Sequence, residues 1–138
     1  MQKLKVLIVE DEFVSQNIMK ELLHQKYWCE VDIAKTATEA LDLVNDRAFE
    51  WDTMGYDVIL MDIYLPDING DLLTEVIRKT ETQTKLTPII AISGRAHASD
   101  RKIFQGMGIT DLLLKPITLD KLDRMFNKYL KSIASYYK

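Results

Sequence analysis

The sequence predicts an α/β protein: an open, doubly wound sheet of five parallel strands covered by helices on both faces. Short apolar runs alternate with amphipathic segments along the whole chain, the pattern of strand-helix units feeding a parallel sheet. A central run, Val58-Ile59-Leu60-Met61, is apolar without interruption, as a strand buried on both faces must be. Four of the five runs finish in polar residues with chemical potential, and in such sheets functional groups gather beyond the carboxyl ends of the strands.

The first strand is Val6-Leu7-Ile8-Val9. A helix follows, with Val14, Ile18, Met19, Leu22 and Leu23 recurring every three or four residues. Glu30 to Ala34 reads as a second strand whose polar interruptions suit a sheet edge. Thr36 opens the next helix, with Glu39 three residues on in a capping box and Ala37, Ala40, Leu41 and Val44 facing inward. Residues 45–55 lack periodicity despite Phe49 and Trp51, and read as a long connection to the third strand, Asp57 to Met61. The helix after Gly70 presents Leu72, Val76 and Ile77. Pro88 begins the fourth strand, Pro88 to Ile92, where a missing amide proton is tolerable. A polar helix over 99–107 ends near Gly106 and Gly108, and Leu112-Leu113-Leu114 is the fifth strand. Thr118 caps the last helix, whose apolar positions are Leu119, Leu122, Met125, Phe126, Tyr129, Leu130 and Ile133.

The 138 residues fit one domain, 1–138, with no linker or low-complexity segment. A net charge of -3 gives no general electrostatic case for nucleic acid or an anionic membrane. The last 21 residues are mildly basic, with five Lys or Arg against two Asp. One cysteine, Cys29, cannot form an internal disulfide. No apolar run approaches the roughly 20 residues of a membrane span, and no secretory signal is visible. A cytosolic setting is expected, without direct membrane contact or nucleic-acid binding.

Strand one ends in Glu10-Asp11, strand three in Asp62, strand four in Ser93, and strand five in Lys115-Pro116. Neighbouring strands lie roughly 5 Å apart, so adjacency of strands one and three would bring three carboxylates together. Such a cluster repels itself unless a hard divalent cation relieves it. Oxygen ligands without His or Cys select Mg²⁺ over zinc or copper; His24 and His97 have no ligand partner in the pattern. A cation site, a carboxylate nucleophile, a hydroxyl and an ammonium together suit phosphoryl transfer. Asp62 would attack phosphorus, with Ser93 and Lys115 meeting the phosphoryl oxygens.

The runs Val6 to Glu12, Asp57 to Gly70, Pro88 to Gly94 and Leu112 to Pro116 make the chain resemble the response-regulator receiver family along nearly its whole length. The resemblance implies a flavodoxin-like (βα)5 three-layer fold with strand order 2-1-3-4-5, the order that this family shares with flavodoxin. It implies phosphorylation of Asp62 from a phosphohistidine on a histidine kinase or histidine phosphotransfer domain. It also implies Mg²⁺ held by Glu10, Asp11, Asp62 and the backbone carbonyl of Tyr64, with Ser93 as the switch hydroxyl and Lys115 as the phosphate-contacting lysine. Gly94 would leave room beside the site. Phosphorylation in the family shifts a two-state equilibrium at the face of helix four, strand five and helix five.

The sequence departs from the family where Tyr or Phe usually stands three residues before the lysine: that position is Leu112. An aliphatic side chain cannot make the aromatic rotamer switch, so a modest rearrangement is expected. Tyr64, two residues beyond Asp62, and Arg95, two beyond Ser93, would crowd the path of hydrolytic water and slow self-dephosphorylation. The start, Glu10 to Ile18, with Gln16, resembles receivers attached to hybrid sensor histidine kinases; a tethered receiver and a free-standing regulator both stay open, and no DNA-binding domain is expected after Lys138. Two other classes share parts of the pattern. A flavodoxin-like cofactor protein would need a phosphate cradle where Glu10-Asp11-Glu12 stands, and a degenerate receiver could act as a phosphorylation-independent interaction module.

Overall fold

The computed structural model describes residues 2–48, 55–80 and 87–138. Its elements run in the order β1 (Leu4–Val9), α1 (Phe13–Lys26), β2 (Cys29–Ala34), α2 (Ala37–Ala48), β3 (Val58–Asp62), α3 (Gly70–Thr80), β4 (Ile89–Ser93), α4 (Arg101–Gly106), β5 (Asp111–Leu114) and α5 (Leu119–Tyr129). A short 3-10 turn, Ala98–Asp100, precedes α4, and another, Ile133–Tyr136, follows α5. All strands pair in parallel in the order β2-β1-β3-β4-β5. The expected order is therefore observed, and β1 and β3 are neighbours, with Val9 opposite Met61.

Strand alternation divides the core between the two faces of the sheet. Leu4, Val6, Ile8, Leu60, Ile90 and Ile92 pack with Met19 and Leu23 of α1 and Leu122 and Phe126 of α5. Leu7, Val9, Ile59 and Met61 point the other way, onto Ala37 and Ala40 of α2 and Leu73 and Ile77 of α3. A third cluster, Ile63, Ala91, Ile109 and Leu112, lies under Phe104 of α4.

The helix caps fall where the sequence puts them, though the reciprocal bond of the box at α2 goes to Lys35, one residue before Thr36. Thr36 Oγ1 accepts from the Glu39 amide at 3.1 Å while the Glu39 carboxylate accepts from the Lys35 amide at 2.7 Å. Thr118 accepts from the Lys121 amide. The helix faces differ in part. On α1, Val14 and Ile18 are exposed and Gln16, Met19 and Leu23 face the core. On α3, Leu72 and Val76 are exposed, while Leu73, Thr74 and Ile77 are buried. Both differences have one physical cause: a polar side chain occupies an inward position because the backbone supplies it with a partner. Gln16 donates to the Glu10 carbonyl, and Thr74 Oγ1 donates to the Gly70 carbonyl at 2.8 Å.

Several boundaries also move. α2 continues through 45–48, where a connection is expected; Phe49 and Trp51 fall outside the described residues. β5 begins at Asp111, and α4 is only a short helix after its 3-10 turn. α5 stops at Tyr129, and Ile133 is buried from the separate turn that follows. That last segment folds back on the start of β2: Tyr137 bridges Tyr27 in antiparallel fashion, the Trp28 amide donates to the Tyr136 carbonyl, and the Lys138 amide donates to the Lys26 carbonyl. Asp123 of α5 accepts from the hydroxyls of Tyr27 and Tyr137 and pairs with Lys26 at 2.9 Å, fastening the same corner. Among the described residues no helix is long and apolar enough to cross a membrane.

Candidate functional site

Glu10 follows β1 directly, and its amide donates to the Ala34 carbonyl at 2.9 Å, so residue 10 extends the sheet pairing by one step. Asp62 is the last residue of β3, opposite Ile92 of β4. One carboxylate oxygen from each of Glu10, Asp11 and Asp62 lies within 4.8 Å of the others, and this is the sole such acidic, His or Cys cluster among the described residues. Glu10 is buried, Asp62 half-buried and Asp11 exposed. Lys115, just past β5, places Nζ 3.1 Å from Glu10 Oε1 and 4.0 Å from Asp62 Oδ2. Burial first, and then the negative charge of Asp62, push the Glu10 carboxyl up to about 7, against the opposing pull of the Glu12 amide and Lys115.

The other expected residues are placed as follows. The Tyr64 amide donates to Asp62 Oδ1 at 3.0 Å, laying its peptide against that carboxylate. Ser93 is fully buried, and its Oγ accepts from the Arg95 and Ala96 amides, both at 3.0 Å. Tyr64 is 42% exposed, and the Arg95 guanidinium carbon lies 5.1 Å from its ring centroid, so the two side chains meet each other. A Cβ on Gly94 would make ordinary contact with the Lys115 side chain at 3.7 Å, so the space there is not exclusive to glycine. Gly70 is the glycine that the site requires. Its amide donates to the Ile63 carbonyl at 2.7 Å, and a Cβ there would sit 2.5 Å from the Asp62 carbonyl oxygen. His24 lies 3.4 Å from Cys29 Sγ through Nδ1, away from the acidic cluster.

Three polar residues have roles that the motif reading left unassigned. Gln16 is only 4% exposed, yet its amide reaches the Glu10 carbonyl at 2.7 Å. Asp67 in the loop after Asp62 accepts from the Ala37 and Thr38 amides at the start of α2. These backbone bonds hold its carboxyl down at about 2. Buried Asp111 accepts from Arg101 Nε at 2.6 Å, from the Leu112 amide at 2.7 Å and from the Tyr129 hydroxyl. Burial alone would raise its pKa; the Tyr129 and Leu112 hydrogen bonds and Arg101 bring it below the ordinary value. The signals were present as a polar residue on an apolar helix face, an acid in a Pro-Asp turn, and an acid at the head of an apolar run.

A parallel sheet of this order, with an acidic cluster and a lysine at its carboxyl end, defines a receiver. The chain matches the response regulator receiver domain family over residues 6–127, and it belongs to that family. It is 32% identical over 126 residues to two-component response regulator 24 of Arabidopsis thaliana, covering 91% of this chain and 84% of that protein. It is 34% identical over 128 residues to transcription factor SKN7 of Candida albicans, covering 93% of this chain and 21% of that protein. The chain spans about a fifth or less of the first curated relatives that it matches. Among solved structures it is similar to the receiver domain of sensor histidine kinase PA1611 from Pseudomonas aeruginosa PAO1, at 26% identity and a TM-score of 0.74, covering 95% of this chain and all of that one. That structure carries a magnesium ion coordinated in its active-site cleft. The cluster of Glu10, Asp11 and Asp62 resembles such a site and is suited to metal-assisted phosphoryl transfer.

Proposed function

We propose that residues 1–138 form one receiver domain that takes a phosphoryl group onto Asp62 from the phosphohistidine of a histidine kinase or histidine phosphotransfer domain. The observation that carries this reading is the convergence of the Glu10, Asp11 and Asp62 carboxylates within 4.8 Å, with Lys115 at their side. An oxygen of Asp62 forms the new bond to phosphorus as the phosphorus-nitrogen bond breaks. The departing imidazole keeps the electron pair and takes up a proton. The product is an acyl phosphate.

The donor set is three carboxylates with no His or Cys, which fits a hard divalent cation, and Mg²⁺ is the one proposed. Glu10, Asp11, Asp62 and the Tyr64 carbonyl would hold it, and bound there it would supply positive charge to the phosphoryl oxygens. Lys115, now paired with Glu10, is placed to add its own charge on the Asp62 side. Ser93 uses both hydroxyl lone pairs on the Arg95 and Ala96 amides, so its hydrogen is the group it has to offer a phosphoryl oxygen. We read the Tyr64–Arg95 contact as crowding the path of hydrolytic water, and slow self-dephosphorylation is the expectation that follows from it.

The test is intact-mass measurement after incubation with acetyl phosphate and Mg²⁺, beside Asp62→Asn. One added phosphoryl group, lost in the variant and without the metal, is the expected result. No addition to the unaltered chain would overturn this reading in favour of a phosphorylation-independent interaction module.

A further inference from the structure

Gln16 is a buried amide on a helix face that otherwise carries Met19 and Leu23. Its position has a cost in desolvation unless the amide is used. It is used on one atom: Nε2 donates to the Glu10 carbonyl oxygen at 2.7 Å. The rest of residue 10 is also held from within the chain. Its amide donates to Ala34, its Oε1 faces Lys115, and its Oε2 accepts from the Glu12 amide at 3.2 Å. Helix α1 meanwhile has no side-chain cap at Glu12. The bond from Gln16 therefore ties the first turns of α1 back to the loop that carries both leading carboxylates.

The bonded oxygen belongs to the peptide between Glu10 and Asp11. That unit is planar, so fixing its oxygen fixes the plane and the direction in which the chain enters Asp11. Asp11 is exposed, which leaves its backbone to determine where its carboxylate starts from. We infer that Gln16 is a positioning residue for the cation site, setting Mg²⁺ affinity by orienting the Glu10–Asp11 peptide. This inference rests on the metal-assisted reading of the cluster. Outer partners of metal ligands commonly alter affinity by 10- to 100-fold when removed, and loss of one donor to a backbone carbonyl belongs at the lower end, about tenfold.

The experiment is calorimetric titration of the full chain with Mg²⁺. Gln16→Met keeps the volume and removes the donor; Gln16→Asn keeps the amide on a shorter stem and serves if the first variant does not fold. Met19→Ala, on the same buried face but without a bond to the loop, controls for simple loss of stability. Weakening by about tenfold in the Gln16 variants, with Met19→Ala binding as the unaltered chain does, is the expected result. Unchanged affinity in the Gln16 variants overturns the inference, and so does equal weakening in Met19→Ala. If the unaltered chain binds no Mg²⁺, the metal-assisted reading itself fails, and the inference with it.

Discussion

Breaking the contact between Tyr64 and Arg95 should shorten the life of the phosphorylated domain by a predictable amount. The guanidinium carbon stands 5.1 Å from the ring centroid, within cation-π range, and Tyr64 is 42% exposed. A pair this wet is worth about 0.5–1 kcal/mol. If water reaches the acyl phosphate only after the pair opens, removing either member lowers the barrier by that amount. At about 1.4 kcal/mol per factor of ten, the rate of self-dephosphorylation rises roughly two- to fivefold. Tyr64→Ala and Arg95→Ala should each show this increase, and the double variant should be no faster than the singles. The assay is the decay of the phosphorylated mass after the phosphodonor is removed, measured at fixed Mg²⁺. Rates that multiply in the double variant would refute the reasoning, because the two side chains would then be acting separately.

Other perturbations test the frame around the site. Asp111→Ala removes the acceptor shared by Arg101, the Leu112 amide and the Tyr129 hydroxyl, while exposed Arg101 and Lys128 regain water; a loss of about 1–3 kcal/mol is expected from urea unfolding. Asp67 contributes stability that is fully present above the ordinary carboxyl pKa near 3.9 and is lost as pH falls toward its folded value of about 2. The difference in urea midpoint between Asp67→Ala and the unaltered chain should therefore shrink steadily between about pH 4 and pH 2. Truncation after Leu130 removes buried Ile133 and the Tyr137 bond to Asp123. Burial of one such aliphatic side chain is worth about 1.5–3 kcal/mol, so the urea midpoint should drop while phosphorylation at the opposite end of the sheet proceeds at its usual rate.

Four strands were legible because they are largely buried, which leaves apolar runs that polar neighbours cannot disguise; the half-buried edge strand β2 showed instead through its polar interruptions. The site was legible for a related reason. Chemistry in this fold is confined to strand ends, so Glu10, Asp11, Asp62, Ser93 and Lys115 stood at positions already marked by the runs before them. Helix faces were harder to read, since Gln16 and Thr74 count as polar in any periodicity argument yet lie inward on backbone partners. Their burial leaves apolar Val14, Ile18, Leu72 and Val76 at the surface. Asp111 was hidden because its meaning depends on Arg101 and Tyr129, which only the fold brings to it. The return of Tyr137 to Tyr27 joins distant parts of the chain and leaves no local signature.

Leu112 bears on how a change at Asp62 is conveyed. It is buried with Ile63, Ala91 and Ile109, and Ala96 and Phe104 pack against the same cluster. No aromatic ring is present at Leu112 to swing between two pockets. Ser93, however, holds the amides of Arg95 and Ala96, and a Ser93 drawn by its hydrogen toward a phosphoryl oxygen loosens its hold on both. Ala96 carries that loosening to the Leu112 cluster through packing alone. The response has a limit built beside it: Asp111 fastens Arg101 at the head of α4 and Tyr129 at the end of α5 to the first residue of β5. A change that begins in residues 94–97 meets this anchor before it can move either helix as a body. The rearrangement expected of this receiver is accordingly a loosening of the β4–α4 loop, and increased amide exchange confined to that loop on phosphorylation is its signature; large changes throughout β5 and α5 would refute it.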